Sequence, residues 1–432
     1  MKKFKKINIA IVGLGNIGIS LYEHLTKNRE TIKKKNNVDF EIKYVSAKNR
    51  SKKRKIKIPK KKWLKSFKNA STLKDIDIVV ELIGGAEGSA KKLVFASLKN
   101  KKHVVTANKA LVSKYGDQLA KLAEDKGVNL EYEAAVAGGI PIIRILKEGL
   151  IANKISKIYG ILNGTSNFIL SNMYKFNSDF KSVLKTAQKL GYAERNPKFD
   201  LNGDDVKSKI QILSSLAFNS FISKSKINVE GIKDVDQIDI KNADVLGYKI
   251  KHLGIAEIDN KKIIQSVHPA FVKKDSYISN VDGVLNAIII EGRPIGNFVI
   301  QGEGAGPGAT VSALVSDICS VLRGNIKYPF SVSRKNRKKL TTIDLSKKTF
   351  SSYIRLDVLD RKGVLSTITN ILSKNNISIK RLIQNPHKGK KYASIIIISH
   401  RARDFNLNKC LNEIKKKNFI FGKPKFIRIE EI

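Results

Sequence analysis

The stretch "INIAIVGLGNIGISLYEHL", residues 7–25, decides how the N-terminal part of this chain folds. It opens with a run of apolar residues, passes through three glycines, and then places Ile17, Leu21 and Leu25 at helical spacing. A continuous apolar run that gives way to helical periodicity across glycines is typical of a strand, a tight turn and a helix. The stretch therefore predicts the first strand-to-helix unit of a larger sheet.

The glycines of this turn also carry a chemical signal. Gly13, Gly15 and Gly18 have the G-x-G-x-x-G spacing of dinucleotide-binding turns. Gly13 permits the sharp turn, Gly15 lets a pyrophosphate approach the backbone, and Gly18 lets helix and strand pack closely. The free amides of Asn16 and Ile17 would face the phosphates at the positive end of the helix. The spacing favours a dinucleotide site over an ordinary strand-to-helix turn.

Strands and helices alternate along the first third of the chain. The alternation is carried by "FEIKYVSA" (40–47), "DIDIVVELIGG" (75–85), "AKKLVFASLKN" (90–100) and "KHVVTANKALV" (102–112). Right-handed crossovers between such strands build a parallel, doubly wound sheet. We expect this domain to fill residues 1–130.

The residues after the second strand indicate which dinucleotide binds. Sites that prefer NAD commonly hold the ribose hydroxyls with a carboxylate there, whereas a 2′-phosphate requires cations. This strand is followed by Lys48 and Arg50, and no acid lies nearby in sequence. NADPH is therefore the expected cofactor, with NADH as the second choice. The competing interpretation is that both cations belong to a solvated, lysine-rich face.

Composition excludes several classes of protein. With 432 residues, 42% hydrophobic and 28% charged, the chain is expected to fold rather than stay disordered. No apolar run approaches the roughly 20 residues that span a bilayer. The two cysteines, Cys319 and Cys410, indicate neither a disulfide framework nor a cysteine-based zinc site, and we expect a cytoplasmic protein without a membrane partner.

The net charge of +44 would ordinarily suggest a nucleic-acid partner. The excess is spread along the chain and lies mostly in lysine, so we interpret it as compositional drift and predict no nucleic-acid partner. A basic protein that binds nucleotide and RNA without catalysis stays the alternative outside the enzyme class.

The pattern changes after residue 130. Glycine-rich turns, a helix and β-like runs predict an α+β domain over residues 131–301, and a glycine turn with a helix over 302–332 would return to the first domain. A polar stretch over 333–350 is interpreted as a linker. Residues 351–432 then give a βαββαβ order, a small split-βαβ sandwich.

Five motifs in this order resemble the homoserine dehydrogenase family over residues 7–325. They are "TANKA" (106–110), "EAAVAGGIPII" (133–143), "NGTSNFIL" (163–170), "GYAERNPKFDLNGDDVKSK" (191–209) and "GEGAG" (302–306). The tail resembles an ACT domain through "DVLDRKGVLSTITNIL" (357–372) and "ISIKRLIQ" (377–384). The resemblance implies an α/β fold with a Rossmann-type parallel sheet, an α+β substrate and dimerisation domain, and a C-terminal βαββαβ ACT domain.

The reaction implied by this resemblance is the reversible, NAD(P)H-dependent reduction of L-aspartate 4-semialdehyde to L-homoserine, in threonine, methionine and isoleucine biosynthesis. Reduction leaves an alkoxide that needs a proton donor or a fixed cation. Lys109 and Lys209 match the family's two lysines, and Asp205, four residues before Lys209 on a predicted helix, would orient it. Lys209 is the favoured donor. Another NADPH-dependent amino-acid dehydrogenase is the alternative within the enzyme class.

The resemblance also implies residues for substrate, cofactor and a cation. Glu194 and Asp200 would hold the substrate ammonium, with Lys109 also in contact. The expected cofactor residues are Gly13, Gly15, Asn16, Ile17, Gly18, Lys48, Arg50, Gly84, Thr106, Lys109, Gly304 and Gly306. Glu133 and the carbonyls of Val136, Gly138 and Ile140 would bind Na⁺ or K⁺, although a glycine turn without metal explains this stretch almost as well.

The tail is expected to sense an amino acid. Asp360, Gly363 and Gln384 are the candidate effector contacts, with threonine as the effector, feedback inhibition as the result, and a homodimer or homotetramer as the assembly. If the tail serves only for regulation, deleting residues 345–432 should leave turnover unchanged and abolish inhibition by threonine. The alternative is a tail that only promotes assembly.

Overall fold

The computed structural model describes residues 6–223, 225, 227–386 and 392–432. The N-terminal part consists of β1 (Lys6–Val12), α1 (Asn16–Lys27), α2 (Arg29–Asn36), β2 (Asp39–Ser46), α3 (Asn69–Thr72), β3 (Ile78–Glu81), α4 (Ser89–Lys99), β4 (His103–Thr106), α5 (Lys109–Lys126) and β5 (Leu130–Glu131). The strands pair in parallel in the order β2-β1-β3-β4-β5. Ile9 and Ile11 of β1 are fully buried, as expected for strands with helices on both faces. The predicted doubly wound sheet is confirmed.

The middle part contains half of the α-helices that the structure describes. Its elements are α6 (Ile142–Arg144), β6 (Lys154–Ile161), α7 (Gly164–Phe176), α8 (Phe180–Lys189), α9 (Lys198–Leu201), α10 (Asp204–Ala217), β7 (Asn228–Val229), α11 (Gln237–Val245), β8 (Tyr248–Asp259), β9 (Lys262–Lys273), β10 (Leu285–Arg293), β11 (Gly296–Glu303), α12 (Pro307–Leu322) and β12 (Thr341–Thr342). Helices α7 and α10 pack on the sheet formed by its strands, so this is the expected α+β domain. Helix α12 packs against α1 and adds Leu314 and Ile318 to the core of the N-terminal domain.

The C-terminal part has the predicted βαββαβ order. Its elements are β13 (Thr349–Leu359), α13 (Val364–Lys374), β14 (Ile379–Pro386), β15 (Tyr392–Ser399), the two-residue β16 (Ala402–Arg403), α14 (Asp404–Lys415) and β17 (Ile420–Ile429). Strands β17, β13, β15 and β14 form an antiparallel sheet under the two helices.

The middle and C-terminal parts share one sheet, which the sequence did not indicate. The end of β17 pairs in parallel with β9, Arg428 opposite Ala270 and Ile429 opposite Phe271. The sheet therefore continues in the order β11-β10-β6-β8-β9-β17-β13-β15-β14. Below the junction, the rings of Phe271 and Tyr353 stack with centroids 4.6 Å apart. The C-terminal domain thus shares a core with the middle domain instead of being joined to it only by a flexible linker.

The polar stretch interpreted as a linker is partly packed. Arg337 is only 5% exposed; its guanidinium forms an ion pair with Asp117 at 2.7 Å and donates to the carbonyl of Ser220. Burial of a charged side chain requires such partners. Residues 333–350 therefore connect the middle domain to the C-terminal domain and also pack against the N-terminal and middle domains. The domain boundaries near residues 130, 301, 332 and 350 stay predictions.

Across the described part of the chain, no helix combines the length and apolar character needed to cross a bilayer.

Candidate active site

The glycine turn lies between β1 and α1. Gly13 has φ +112°, and a Cβ there would lie 2.3 Å from the carbonyl oxygen of Leu82. A Cβ on Gly18 would lie 2.0 Å from the oxygen of Gly13, so both positions require glycine for packing. Gly15 differs because nothing lies within 4 Å of its Cβ position, and no side chain of the described residues caps α1. An open surface beside an uncapped helix end fits the pyrophosphate of a dinucleotide. That the amides of Asn16 and Ile17 hold it stays a prediction.

An aromatic side chain supports the loop after β2. The guanidinium carbons of Arg50 and Arg54 lie 5.5 and 5.2 Å from the ring centroid of Trp63. Arg54 also donates to the carbonyls of Asn49 and Lys52, at 2.6 and 2.8 Å, which folds the loop around it. Arg50 and Lys48 are both exposed on this loop, beside the predicted cofactor site. The sequence motif did not indicate Arg54 or the role of Trp63.

A buried carboxylate organises the ends of β3 and β4. Glu81 accepts from the hydroxyl of Thr106 at 2.6 Å, and from the amides of Ile83 and Gly84 at 2.7 and 3.0 Å. Thr106 in turn accepts from the amide of Asn108. Gly84 and Thr106, both expected cofactor residues, therefore lie at the carboxyl edge of the parallel sheet, where ligands of doubly wound folds bind. Glu81 was not singled out from the sequence.

The predicted catalytic residues converge across the boundary between the two domains. Lys109 is the first residue of α5, while Asp205 and Lys209 lie one turn apart on α10. Lys209 Nζ lies 2.9 Å from Asp205 Oδ2 and donates to the carbonyl of Leu162 at 2.5 Å. Lys109 Nζ forms an ion pair with the other carboxylate oxygen of Asp205. One carboxylate therefore holds both amines.

Burial and charge tune this cluster in opposite directions. Burial alone would raise the pKa of Asp205, but the ammonium groups of Lys209 and Lys109 outweigh it, so the pKa lies below its ordinary value. Burial lowers the pKa of Lys209, and the Asp205 carboxylate only partly opposes this effect. The Lys109 side chain is 35% exposed and that of Lys209 only 8%. The two lysines therefore differ in environment although they share a partner.

An asparagine links the second acid to this cluster. The amide of Asn163 donates to Asp200 and to Asp205, both at 2.8 Å, while its oxygen caps α7 by accepting from Ser166. Burial and the nearby Asp205 charge raise the pKa of Asp200. The "NGT" motif was noted in the sequence, but the bridging role of Asn163 depends on α7 and α10 meeting in space.

Glu194 lies apart from these contacts. It is exposed on the turn before α9, and its side chain contacts none of the other described polar groups; its carbonyl accepts from Gln188 at 3.1 Å. The neighbouring Tyr192 and Phe199 are also exposed, and Lys109 Nζ lies 5.7 Å from the Phe199 ring. The assignment of Glu194 to substrate stays a prediction.

The candidate cation ligands have structural partners of their own. The two oxygens of Glu133 accept from the amides of Ile143 and Arg144, each at 2.8 Å, which caps α6. Burial raises the pKa of Glu133 to about 7. The amide of Gly138 donates to the carbonyl of Gly304, and the carbonyl of Ile140 accepts from Ile142. These contacts explain the conformation of the stretch without an ion, so the cation site stays a prediction.

The glycine turn before α12 packs against β10. A Cβ on Gly304 would lie 2.1 Å from the side chain of Asn286, and Gly306 has φ +111°. Asn286 is fully buried, yet neither atom of its amide has a hydrogen-bond partner among the described residues. Gly304 is therefore glycine for lack of space, and Gly306 for its positive φ. The contact of either residue with the cofactor stays a prediction.

The expected effector residues lie at one end of the C-terminal domain. Gln384 donates to Asp360 at 3.2 Å, and Gly363, with φ +86°, is the N-cap of α13. The structure brings the side chain of Gln384, on β14, to the turn that holds Asp360 and Gly363. The role of these residues in binding stays a prediction.

Comparison with known proteins agrees with this architecture. The sequence model of the NAD-binding domain of homoserine dehydrogenase matches residues 13–133, the homoserine dehydrogenase model matches residues 141–319, and the ACT domain model matches residues 352–418. Homoserine dehydrogenase of Neisseria gonorrhoeae is 38% identical over 99% of both chains. That of Bacillus subtilis is 34% identical over the same share.

Solved structures give the same result. A homoserine dehydrogenase from Thiobacillus denitrificans superimposes with a TM-score of 0.91 at 36% identity, covering 100% of this chain and 99% of that one. The S. aureus homoserine dehydrogenase superimposes with a TM-score of 0.76 at 32% identity, covering 99% and 100%. This chain belongs to the homoserine dehydrogenase family, oxidoreductases that use a nicotinamide cofactor on a CH–OH group.

Proposed function

We propose that this protein reduces L-aspartate 4-semialdehyde to L-homoserine with NADPH, and catalyses the reverse oxidation. The observation that carries the proposal is the convergence of Lys109, Lys209 and Asp205 at the carboxyl edge of the N-terminal sheet. The position of Lys109 directly after β4, whose last residue is Thr106, supports a reaction centre beside the predicted dinucleotide site.

The chain's own residues account for the proton. When bound, a reduced nicotinamide would supply the hydride that, together with one proton, converts the aldehyde CHO into CH2OH. Lys209 has three N–H donors, of which two are directed at Leu162 and Asp205. The third is left for the substrate oxygen, since no other described residue accepts from it. Lys209 donates its proton there as the oxygen becomes basic, and Asp205 stabilises the ammonium before transfer.

The lowered pKa of Lys209 suits it to this role. An ordinary lysine titrates near 10.5 and is a weak acid at neutral pH. Burial brings that pKa closer to the working pH, which speeds proton transfer in both directions. Lys109, which is half-exposed at the mouth, adds positive charge beside the same oxygen without being the donor.

The substrate's amino-acid end requires groups of both charges. Asp200, held by Asn163, presents a carboxylate to the α-ammonium, and Glu194 on its exposed turn closes over it. Since Asp200 and Asp205 are joined by one asparagine amide, the grip on the ammonium end is coupled to the lysine that acts on the aldehyde.

The charges after β2 support NADPH over NADH. Arg50 lies on the face of Trp63, and Lys48 is exposed nearby, so two cations border the place where a 2′-phosphate would lie. We further propose that Glu133 and the adjoining carbonyls of Val136, Gly138 and Ile140 accommodate Na⁺ or K⁺ when one is bound.

The C-terminal domain would regulate the enzyme. The turn that holds Asp360 and Gly363, together with Gln384 of β14, would bind threonine between paired copies of the chain in a homodimer or homotetramer. Binding would then inhibit the enzyme as feedback within threonine, methionine and isoleucine biosynthesis.

A substrate profile tests the reaction. The decrease of NADPH absorbance is followed with aspartate 4-semialdehyde, succinic semialdehyde and a 2-oxo acid in turn. We expect high kcat/KM only for aspartate semialdehyde, because only this aldehyde places an ammonium against Asp200. Preference for a 2-oxo acid with ammonia would instead identify an amino-acid dehydrogenase that deaminates its substrate.

A further inference from the structure

Two amines lie at the centre where the proposed aldehyde substrate reacts. Lys209 Nζ lies 2.9 Å from one carboxylate oxygen of Asp205, and Lys109 forms an ion pair with the other oxygen. Aldehydes condense with uncharged amines: the nitrogen adds to the carbonyl carbon, water leaves, and a C=N bond, an imine, forms. A site that holds lysines against an aldehyde therefore needs a means of preventing this competing reaction.

Lys209 has the surroundings of an amine that forms imines. Its side chain is only 8% exposed, and the ammonium group of Lys109 shares its partner. Burial and a neighbouring cation both favour the uncharged amine, and enzymes that form imines through lysine use these two devices. Burial lowers the pKa of Lys209, and the charge of Lys109 adds to this effect. Lys209 differs from an imine-forming lysine in having a carboxylate partner.

Asp205 opposes both effects on the amine. Its side chain is 2% exposed, so water screens its attraction for the two ammonium groups only weakly. The amide of Asn163 donates to Asp205 Oδ2 at 2.8 Å, which fixes the carboxylate between the lysines. A protonated amine has no free electron pair and cannot add to a carbonyl carbon. One carboxylate therefore keeps both amines in the form that donates a proton and does not attack carbon.

The other acid of the cluster does not make these contacts. Among the described residues, the carboxylate of Asp200 accepts from the amide of Asn163 at 2.8 Å and forms no ion pair with either lysine. Two carboxylates joined by one asparagine thus differ in a single respect, which is contact with the amines. Asp200 is for this reason a matched control for Asp205.

We propose that Asp205 suppresses imine formation between the aldehyde substrate and the two lysines, and that Lys209 becomes an imine-forming residue when this carboxylate is removed. Asp205 acts through the lysines and is a positioning residue in this role. The role goes beyond orienting a proton donor, because it selects which of two reactions a lysine performs on an aldehyde. The inference rests on the proposed function, since a substrate without a carbonyl group needs no such protection.

The proton transfers of the proposed reaction agree with this role. During reduction, Lys209 is charged while the aldehyde is present, and it becomes uncharged only as the oxygen takes its proton and the carbonyl group disappears. During oxidation, Lys209 takes the proton of the alcohol as the carbonyl group forms. In both directions the uncharged amine faces an alcohol, so a carboxylate that keeps Lys209 protonated beside the aldehyde does not obstruct turnover.

Trapping with sodium cyanoborohydride tests the proposal. This reagent converts an imine into a stable secondary amine: its hydride adds to the carbon, and water supplies the proton on nitrogen. The full chain is treated with propanal and, separately, with aspartate 4-semialdehyde, and peptide mass spectrometry measures the modified fraction of each lysine. Lys209 should carry roughly tenfold more adduct, or more, in Asp205→Asn than in the wild type, because losing an adjacent opposite charge changes the uncharged fraction of an amine by at least about that factor. Asp200→Asn, treated with propanal, should stay at the wild-type level.

A measurement on the wild type does not depend on how the variant folds. The side chain of Lys109 is 35% exposed and paired with Asp205, whereas Lys207, half-buried on α10, has no ion-pair partner among the described residues. Propanal should therefore modify Lys109 less than Lys207. Equal or greater modification of Lys109 would show that Asp205 does not protect it. Circular dichroism establishes whether Asp205→Asn is folded.

Three results with the variants would overturn the proposal. In the first, Lys209 is modified equally in the wild type and in Asp205→Asn; in the second, it is modified in neither. In the third, Asp200→Asn raises the modification as much as Asp205→Asn, which would assign the effect to overall charge and not to contact. Propanal needs no recognition of an amino-acid end, so its result stands even if the protein does not reduce aspartate semialdehyde. Failure to trap Lys209 in turn leaves the proposed reaction untouched.

Discussion

At the scale of single residues, Asn163 offers a separable test of positioning. Its amide donates to two carboxylates while its oxygen caps α7. Asn163→Ser keeps a cap acceptor and loses the donors, whereas Asn163→Ala loses both. We expect both variants to lose kcat/KM by roughly ten- to a hundredfold, since hydrogen bonds to charged groups contribute about 1.5–3 kcal/mol.

The two Asn163 variants should differ in stability. Only Asn163→Ala should unfold more easily, by about 1 kcal/mol in urea titrations, because it alone lacks the cap. The lost donors should also raise the pKa values of Asp200 and Asp205, so the acidic limb of the kcat/KM profile should move to higher pH in both variants. Unchanged pH profiles in both would show that Asn163 does not act through the acids.

Arg50 tests the choice of cofactor. Arg50→Ala removes one cation beside the predicted 2′-phosphate but leaves Arg54 stacked on Trp63. The KM for NADPH should rise roughly tenfold, as expected for one charge-assisted hydrogen bond, while the KM for NADH changes little. Lys52→Ala, on the same exposed loop, is the control. Equal losses for both dinucleotides would assign Arg50 to a solvated face.

At the scale of secondary-structure elements, His252 of β8 supports the turn before α10. Its ring lies beneath Gly203, and Nε2 pairs with the carbonyl of Glu230 at 3.0 Å. Burial lowers the pKa of His252 from 6.5 to about 4. Because the unfolded chain then binds the proton more readily, this histidine's contribution to stability is complete above pH 6.5 and is lost as pH falls toward 4.

The expected loss is at most roughly 3 kcal/mol across that interval. Urea unfolding of the wild type and of His252→Gln at several pH values between 4 and 7 measures it. The variant should show a smaller decrease in unfolding free energy as pH falls, whatever its absolute stability. Parallel pH dependences would mean that His252 is not held neutral in the fold.

The elements themselves were largely predictable, because their signals are local. The turn at Gly13 and Gly18, the alternation of β1 to β5 and the one-turn spacing of Asp205 and Lys209 follow from periodicity and from helix geometry. The contacts of Asn163, Glu81 and Trp63 could not be read from the sequence, since each joins elements that are distant along the chain. The paired register of β9 and β17 was hidden for the same reason.

At the scale of the whole molecule, the shared sheet changes what the tail is. Removing residues 345–432 was expected to leave turnover intact, but it would expose Phe271 and leave Glu230 without Arg428. We therefore expect such a truncation to lose stability along with any regulation. A full-length variant is the better probe of the junction.

Arg428 is the residue to change. Its guanidinium is buried between Glu230 and Asp404, so Arg428→Met leaves the buried Asp404 carboxylate without its cation and should lower the free energy of unfolding by about 3–5 kcal/mol. Arg401→Met removes the exposed pair with Glu431 and should have little effect. Thermal unfolding of both variants makes the comparison. Similar transition temperatures would show that the C-terminal domain folds independently of the substrate domain.

The most direct test of the whole account is the pH dependence of kcat in both directions for the wild type, Lys209→Met and Lys207→Met. If Lys209 is the proton donor, wild-type reduction of aspartate semialdehyde falls, and oxidation of homoserine rises, as pH passes a value below 10.5. Lys209→Met should lower kcat by roughly 10²–10⁴ and abolish the pH dependence in both directions. Lys207→Met, on the same helix, should keep both the rate and the pH dependence of the wild type. Wild-type pH limbs that persist in Lys209→Met, or near-normal turnover in that variant, would contradict the account.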